Sequence, residues 1–235
     1  MAGKDSKSIS EAEASVSVSE KGFHPESILP HDSSVLIGVL ALQGDVEKHV
    51  EMVEKCGARA IRVRFADEID IIDGLIIPGG ESTTVGKLMA RYGIDTKIIE
   101  RAAQGMPVFG TCTGMILMSK EIVGSEQHRL GLMDTTVLRN AFGRQVDSFE
   151  ADLDIKCIGG SPVRAVFIRA PYAVEIRGNA EVLARCNDKA VLLKQGNLLA
   201  CAFHPELTDD CRLHQYFIGL AKTWLESRST PPPKE

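Results

Sequence analysis

A cysteine in a glycine-rich turn is the residue of this sequence best suited to covalent chemistry. Cys112 is the centre of residues 110–114, Gly-Thr-Cys-Thr-Gly, which follow the apolar run 107–110 and open a helical pattern at 113–120. Such a strand–turn–helix elbow exposes a nucleophile, and its tight, strained backbone requires the glycines. A helix N-terminus favours the thiolate, and the N–H of Thr113 is aimed where an oxyanion would form. The pattern predicts that Cys112 is a nucleophile and not a buried structural cysteine.

A histidine and a glutamate near the end of the chain have the types that a thiol nucleophile needs. His204 and Glu206 belong to a His-Pro-Glu sequence after the apolar run 198–203. Pro205 is expected to hold this segment extended, so that both side chains point the same way. In this arrangement His204 takes the proton of Cys112, and Glu206 holds the imidazole tautomer and stabilises its cation. The three residues predict a catalytic triad.

A third segment, residues 77–84, places two glycines between an apolar run and a helical pattern. The backbone N–H groups at Gly79 and Gly80 suit an oxyanion or a carboxylate. A nucleotide-binding P-loop is rejected, because five residues instead of four separate Gly80 from Gly86. In addition, Leu88 occupies the position of the Mg²⁺-binding hydroxyl.

Metal ligation is not predicted. His204 and Glu206 match the first half of a zinc deaminase signature, but no Pro-Cys-x-x-Cys follows. Cys201 and Cys211 flank the pair without metal-ligand spacing. His49 lies in the first helical pattern and is expected to be a surface or internally hydrogen-bonded histidine. We therefore expect neither a metal nor a cofactor.

The elements that must position these residues alternate in the first part of the chain. Apolar runs at 35–42, 60–63, 74–78 and 107–110 alternate with helical patterns, the first of which has valines 46, 50 and 53 on one face. This alternation predicts an α/β fold of three layers, with a mostly parallel sheet and helices on both of its faces.

The second part of the chain has a different pattern. Short strand candidates with turn residues between them predict added, partly antiparallel strands at 135–138, 165–168, 181–184, 190–194 and 198–203. A last helix, capped by Thr208 or Asp209, is predicted to run to about residue 226.

Composition limits the class of protein. The 235 residues carry a net charge of −5, and 44% of them are hydrophobic, which predicts one globular domain and argues against nucleic acid as a partner. The beginning of the sequence has no apolar signal region, and the six cysteines have no close pairing, so we expect a cytoplasmic protein with reduced thiols. Composition divides the chain into a disordered serine-rich tail at 1–34, a domain at 35–228 and a second disordered tail at 229–235.

The cysteine elbow, the glycine turn and the late His-Pro-Glu, in this order, resemble the class I, triad-type glutamine amidotransferases, which have a flavodoxin-like fold. The chain resembles in particular the glutaminase subunits of pyridoxal 5′-phosphate synthase. The similar segments are 38–45 (GVLALQGD), 78–84 (PGGESTT), 139–150 (RNAFGRQVDSFE), 167–171 (FIRAP) and 203–208 (FHPELT). The resemblance spans residues 35–226.

The resemblance implies that Cys112 attacks the side-chain amide of glutamine, forming a glutamyl thioester that water hydrolyses with His204 as base. It assigns the oxyanion hole to the N–H groups of Gly80 and Thr113. It assigns glutamine binding to Gly79, Gly80, Glu81, Arg139, Ile168 and Arg169. Glu81 and Arg139 have charges complementary to the ammonium and carboxylate of glutamine.

The resemblance also implies a partner. In the family, a TIM-barrel synthase subunit receives the ammonia and builds pyridoxal 5′-phosphate. The two kinds of subunit form a large hetero-oligomer, and docking of the synthase subunit activates the glutaminase. Two alternatives stay open: a stand-alone amidohydrolase with a cysteine elbow, and a non-catalytic assembly or regulatory subunit. Thr113 departs from the family, which usually has alanine there, and this change adds bulk and a hydroxyl to the elbow.

Overall fold

The computed structural model describes residues 35–142, 148–155 and 157–229. The predicted tail at 1–34 lies outside the described residues, as do residues 143–147 of the segment 139–150. Of the predicted tail at 229–235, only Ser229 is described, as the last residue of a helix.

The described residues contain twelve strands and five α-helices. The strands are β1 (Leu36–Leu40), β2 (Arg59–Val63), β3 (Gly74–Ile77), β4 (Val108–Thr111), β5 (Ser119–Ile122), β6 (Met133–Leu138), β7 (Ser148–Leu153), β8 (Val163–Ile168), β9 (Tyr172–Ile176), β10 (Glu181–Cys186), β11 (Lys189–Gln195) and β12 (Leu198–Cys201). The helices are α1 (Val46–Lys55), α2 (Ser82–Tyr92), α3 (Ile94–Ala103), α4 (Thr113–Met118) and α5 (Arg212–Ser229). Two 3₁₀ turns lie at Asp67–Asp70 and Pro205–Leu207.

Ten of these strands form one sheet around a parallel core. Its order is β2-β1-β3-β4-β12-β11-β9-β6-β5, and β10 pairs with β11. The first five strands in this order pair in parallel, whereas β11, β9 and β6 continue the sheet with antiparallel pairs. β7 and β8 form a separate antiparallel pair. The prediction of an α/β fold with a mostly parallel sheet and added antiparallel strands is confirmed.

The central strands are apolar at nearly every position because the sheet is covered. All residues of β1, β3 and β4 are buried, as expected for parallel strands with helices against both faces. α1 turns Val50 and Val53 towards this core. These strands therefore have little freedom to shift, which makes their carboxyl ends rigid supports.

Several boundaries differ from the sequence prediction. The helix predicted at 113–120 ends at Met118, because Ser119–Ile122 pairs with β6 as a strand. α3, β7 and β9 were not predicted; β7 in particular alternates exposed and partly buried residues, so it lacks a long apolar run. The last helix begins at Arg212, whose N–H donates to Asp210 Oδ1, and so the predicted cap at Thr208 or Asp209 was wrong.

The sheet order brings three chain segments together at one edge. β4 lies between β3 and β12, and all three run in the same direction. Their carboxyl ends lead to the glycine turn, the cysteine elbow and the His-Pro-Glu segment. Open α/β sheets bind ligands at this edge. No helix among the described residues is long and apolar enough to cross a membrane.

Candidate active site

Cys112 has the backbone of a nucleophile elbow. It joins β4 to α4 with a φ of 48° and a ψ of −97°, a conformation that L-residues rarely adopt. Its N–H donates to the Cys201 carbonyl at 2.8 Å, which ties the elbow to β12. The residue is 8% exposed, and its Sγ lies 3.9 Å from the Ile168 carbonyl oxygen. The strained turn thus holds a nearly buried thiol in place.

Three glycines leave the space that this arrangement needs. A Cβ on Gly110 would lie 2.5 Å from the Gly114 carbonyl carbon, and one on Gly114 would overlap the Ile77 carbonyl oxygen. A Cβ on Gly79 would overlap the ring of His204. The two elbow glycines therefore permit close backbone packing, and Gly79 makes room for the imidazole.

His204 and Glu206 meet through a turn. His204 Nδ1 and Glu206 Oε1 are 2.7 Å apart, and the His204 N–H donates to the Val166 carbonyl at 2.8 Å. The expectation of an extended segment was wrong, because Pro205–Leu207 forms a 3₁₀ turn. Pro205 supplies the first position of this turn, where its fixed φ is favourable, and the turn brings the carboxylate back beneath the imidazole.

The environment favours the protonated imidazole of His204. Burial lowers its pKa, but hydrogen bonds to Cys112 and Glu206 outweigh this effect and raise the pKa to about 10. Since Nδ1 faces Glu206, Nε2 is the ring nitrogen left for Cys112. The geometry and charges therefore suit a thiolate–imidazolium pair supported by a carboxylate.

The two residues predicted to form the oxyanion hole contact each other. The Gly80 N–H donates to Thr113 Oγ1 at 3.1 Å, and the Thr113 hydroxyl donates to the Gly80 carbonyl. The glycine turn is thereby joined to the elbow. An oxyanion that uses the Gly80 N–H must displace this hydroxyl.

A cavity of about 400 Å³ lies over the elbow. It is lined by most of the predicted site residues, namely Gly80, Glu81, Cys112, Thr113, Arg139, Ile168, Arg169 and His204. Gly79 and Glu206 do not line it: Gly79 contacts the ring of His204, and Glu206 is 3% exposed behind it. The structure thus brings the predicted residues to one place.

Glu81 and Arg139, two of the charged residues predicted to bind glutamine, already have protein partners. Glu81 caps α2 by accepting the N–H groups of Thr83 and Thr84, and these hydrogen bonds, together with one from the Thr84 hydroxyl, lower its pKa to about 2. Arg139 donates to Gln127 Oε1, which also accepts a hydrogen bond from Ser82 at 3.2 Å. Both side chains are held at the wall of the cavity by these contacts.

Sequence reasoning assigned no role in the site to Gln43 and Asn140 of the cavity wall or to His49 behind it. Gln43 lines the cavity and accepts the Glu81 N–H at 3.3 Å. Asn140 has a φ of 48° and lines the cavity with Arg169, whose φ is 44°. His49 is fully buried, and its Nε2 lies 3.3 Å from Glu206 Oε2. Only Gln43 and Asn140 had a signal, since both lie in the segments that resemble the glutaminase subunits.

The described residues contain no group of three or more His, Cys, Asp or Glu side chains placed to hold a metal ion. Cys201 is fully buried, and burial raises the pKa of its thiol well above the usual range. Its Sγ donates to the Phe203 carbonyl oxygen at 3.2 Å, so the thiol is paired inside the core.

Sequence comparisons identify the family of this chain. A model of the SNO glutamine amidotransferase family matches residues 39–222. The pyridoxal 5′-phosphate synthase subunit PdxT of Pelotomaculum thermopropionicum is 56% identical over 182 residues, which cover 77% of this chain and 93% of the relative. PdxT of Thermotoga petrophila is 51% identical over 186 residues, which cover 79% of this chain and 99% of the relative.

Solved structures show the same relationship. A crystal structure of a glutamine amidotransferase has 50% sequence identity and a TM-score of 0.76, over 79% of this chain and 98% of that one. A chain of the PurLQS structure from Thermotoga maritima has a TM-score of 0.55 at 17% identity, over 84% of this chain and 99% of that one, and supports the fold alone. The resemblance inferred from the motifs is confirmed.

Proposed function

Because the chain belongs to the SNO glutamine amidotransferase family, we propose that it hydrolyses L-glutamine to L-glutamate and ammonia and delivers the ammonia to a pyridoxal 5′-phosphate synthase subunit. The observation that carries this proposal is the contact of His204 with Cys112 at the wall of the cavity and with Glu206 behind it. No cofactor is needed for this reaction.

In the first half of the reaction, the Cys112 thiolate attacks the side-chain amide carbon of glutamine. The new C–S bond gives a tetrahedral intermediate, and its collapse breaks the C–N bond. His204 Nε2 holds the thiol proton and donates it to the leaving nitrogen, so that ammonia departs and a glutamyl thioester remains. The raised pKa of His204 suits it to hold that proton.

In the second half, water replaces ammonia. His204, now neutral, removes a proton from water as the oxygen attacks the thioester carbon. The C–S bond breaks and glutamate leaves, its new carboxyl group releasing the second water proton to solvent, while the proton on His204 restores the thiolate–imidazolium pair. Glu206 keeps Nδ1 protonated in both halves through its 2.7 Å contact.

The negative oxygen of each intermediate needs hydrogen-bond donors. We assign this role to the N–H groups of Gly80 and Thr113, two residues that contact each other through the Thr113 hydroxyl. The hydroxyl of Thr113 accepts the Gly80 N–H in this structure. Activation therefore requires that this N–H turn from the hydroxyl to the substrate, a movement that a docked partner can drive.

Glutamine is proposed to bind along the wall formed by Glu81, Arg139 and the backbone at Ile168 and Arg169. Arg139 offers its planar guanidinium to the α-carboxylate. The Glu81 carboxylate is ionised at neutral pH, because its hydrogen bonds lower its pKa to about 2, and it supplies the charge that attracts the α-ammonium.

The proposed partner is the synthase subunit of the same enzyme. The relatives are named as subunits of pyridoxal 5′-phosphate synthase, and free ammonia in water is protonated and lost as a nucleophile. Delivery inside an assembly avoids this loss. Following the resemblance, we propose a TIM-barrel partner, a large hetero-oligomer and a cytoplasmic location.

The test is glutamate release from glutamine, with and without the synthase subunit of the same organism. We expect strong release only with the partner, none from Cys112→Ala, and unchanged release from Cys186→Ala, whose thiol is buried on β10. Equal release with and without the partner would indicate an independent amidohydrolase. No release from a complex that still forms would indicate an assembly subunit.

A further inference from the structure

A second imidazole approaches the carboxylate of the proposed triad. Glu206 Oε1 faces His204, whereas its buried Oε2 makes no hydrogen bond of standard geometry within the described part of the chain. His49 Nε2 lies 3.3 Å from Oε2, and both side chains are fully buried. Removing the ring nitrogen would leave a buried carboxylate oxygen without a polar neighbour, which costs free energy because water cannot take its place.

His49 is held in this place by two further contacts. Its Nε2 also lies 3.1 Å from Oγ1 of Thr111, which is the last residue of β4 before the elbow. Its Nδ1 lies 3.1 Å from His214 Nε2, and His214 is fully buried on α5. The ring therefore bridges the end of β4, the start of α5 and the turn that carries Glu206.

The surroundings keep both buried imidazoles neutral. Burial, together with the imidazoles of His214 and His204, lowers the pKa of His49 well below its usual range. Burial lowers the pKa of His214 to about 4. Each ring consequently has one N–H and one bare nitrogen at neutral pH.

The pattern of contacts selects one tautomer for each ring. Within the described residues, His214 Nδ1 has no hydrogen-bond partner. The single ring proton of neutral His214 is therefore better placed on Nε2, which can donate it to His49 Nδ1. The His49 proton then lies on Nε2, between Thr111 Oγ1 and Glu206 Oε2. The opposite assignment would leave a buried N–H without an acceptor and would turn a bare ring nitrogen towards the carboxylate.

We infer that His49 is a positioning residue of the reaction: its Nε2–H steadies Glu206 Oε2, so that Oε1 stays aligned with His204 Nδ1. The inference rests on the proposed function, because it assigns His49 a part in the same triad. His49 does not line the cavity over the elbow, so it acts through the residues that it contacts and not on the substrate. Without it, Glu206 loses a neighbour on its second oxygen and holds the imidazolium less firmly.

The first test uses a readout that does not need glutamine turnover. The rate at which iodoacetamide alkylates Cys112 is measured against pH, by mass spectrometry of the peptide that contains Cys112. We expect His49→Leu to slow alkylation at neutral pH and to move its acidic limb to higher pH, because a weaker imidazolium leaves less thiolate. The expected factor is roughly tenfold to a hundredfold, the cost of leaving a buried charged oxygen without a polar neighbour.

Two polar variants separate position from packing. The amide nitrogen of His49→Gln reaches about as far as Nε2, and we expect its alkylation profile to be close to that of the native protein. The amide of His49→Asn reaches only as far as Nδ1, so this variant is expected to be impaired like His49→Leu. The comparison of Gln with Asn decides the question even if the leucine variant does not fold.

A neighbouring residue on α1 supplies the matched control. Val50 is buried next to His49 and has no polar side chain. Val50→Ala is expected to lower the free energy of unfolding without moving the alkylation profile. The inference is overturned if His49→Leu keeps the native profile, or if Gln is as impaired as Asn.

The assembled enzyme gives the second readout. With the synthase partner present, His49→Leu is expected to lower kcat for glutamate release by the same factor while the KM for glutamine stays nearly constant. A native assembly that releases no glutamate overturns the proposed function, whereas the alkylation profiles still decide the role of His49. A raised KM with unchanged kcat contradicts the inference.

Discussion

The hydroxyl of Thr113 bridges both polar groups of the Gly80 backbone, accepting its N–H at 3.1 Å and donating to its carbonyl oxygen. This contact joins the residue after the nucleophile to the glycine turn, the two places from which the proposed oxyanion donors come. The hydroxyl thus competes with the reaction intermediate for one of the two donors. These two hydrogen bonds give the Thr113 hydroxyl a structural role in the elbow, where related proteins usually have alanine.

Thr113→Ala is therefore expected to raise glutamate release by the chain without its partner. The competing bond between neutral groups has the strength of an ordinary hydrogen bond, which corresponds to an increase of about two- to tenfold. Thr113→Ser keeps the hydroxyl and should stay near the native rate. The measurement is initial glutamate release at saturating glutamine, and an alanine variant no faster than the native chain would contradict this expectation.

The raised pKa of His204 predicts an alkaline loss of stability. Its pKa rises from 6.5 to about 10 on folding, because the hydrogen bonds to Cys112 and Glu206 outweigh the effect of burial. The resulting stabilisation is fully present below about pH 6.5 and is lost as pH rises through about 10. Urea unfolding between pH 6 and pH 10 is expected to show this decline.

Glu206→Gln provides the comparison for that experiment. The amide keeps a similar shape but removes the charge that stabilises the imidazolium, so the alkaline decline should be shallower. Glutamate release should fall by at least about a hundredfold, because the imidazole loses the carboxylate that orients it. Identical pH dependence of unfolding in the two proteins would show that Glu206 does not set the pKa of His204.

Replacement of glycine by alanine is expected to have opposite effects at Gly114 of the elbow and at Gly219 of α5. Gly114→Ala places a Cβ against the Ile77 carbonyl oxygen and is expected to cost about 1–3 kcal/mol of unfolding free energy, and most of the activity. Gly219, on α5, has no atom within 4 Å of an added Cβ. Gly219→Ala should stabilise the protein by about 0.5–1 kcal/mol. Denaturant unfolding measures both, and equal effects would contradict the argument.

Arg139 is expected to affect substrate binding more than the reaction at Cys112. Arg139→Met removes the guanidinium and should raise the KM for glutamine by roughly tenfold to a hundredfold, the effect of losing a charge-assisted hydrogen bond. Arg139→Lys keeps the charge without the planar fork and should be intermediate. Alkylation of Cys112 is the control and should not change. An unchanged KM would remove Arg139 from the proposed glutamine site.

Much of the fold could be predicted because its signals are local. Continuous apolar runs predicted β1, β3 and β4, since strands buried on both faces need apolar side chains throughout. β7 could not be found in this way, because it is held by pairing with β8 and not by a buried face of its own. The end of α4 at Met118 likewise depends on a distant partner, since β6 takes up the residues that follow.

The sequence by itself determined the chemistry of the site: a thiol between glycines, a histidine two residues before a glutamate, and a glycine turn. Residue types and short spacings carry that information. Only the tertiary structure decided that His204 and Glu206 meet through a 3₁₀ turn, that Thr113 bonds to Gly80, and that His49 lies behind the carboxylate. These contacts join residues from different strands and helices, and their geometry depends on the order of the sheet and on what burial excludes. That dependence cannot be read from spacing along the chain.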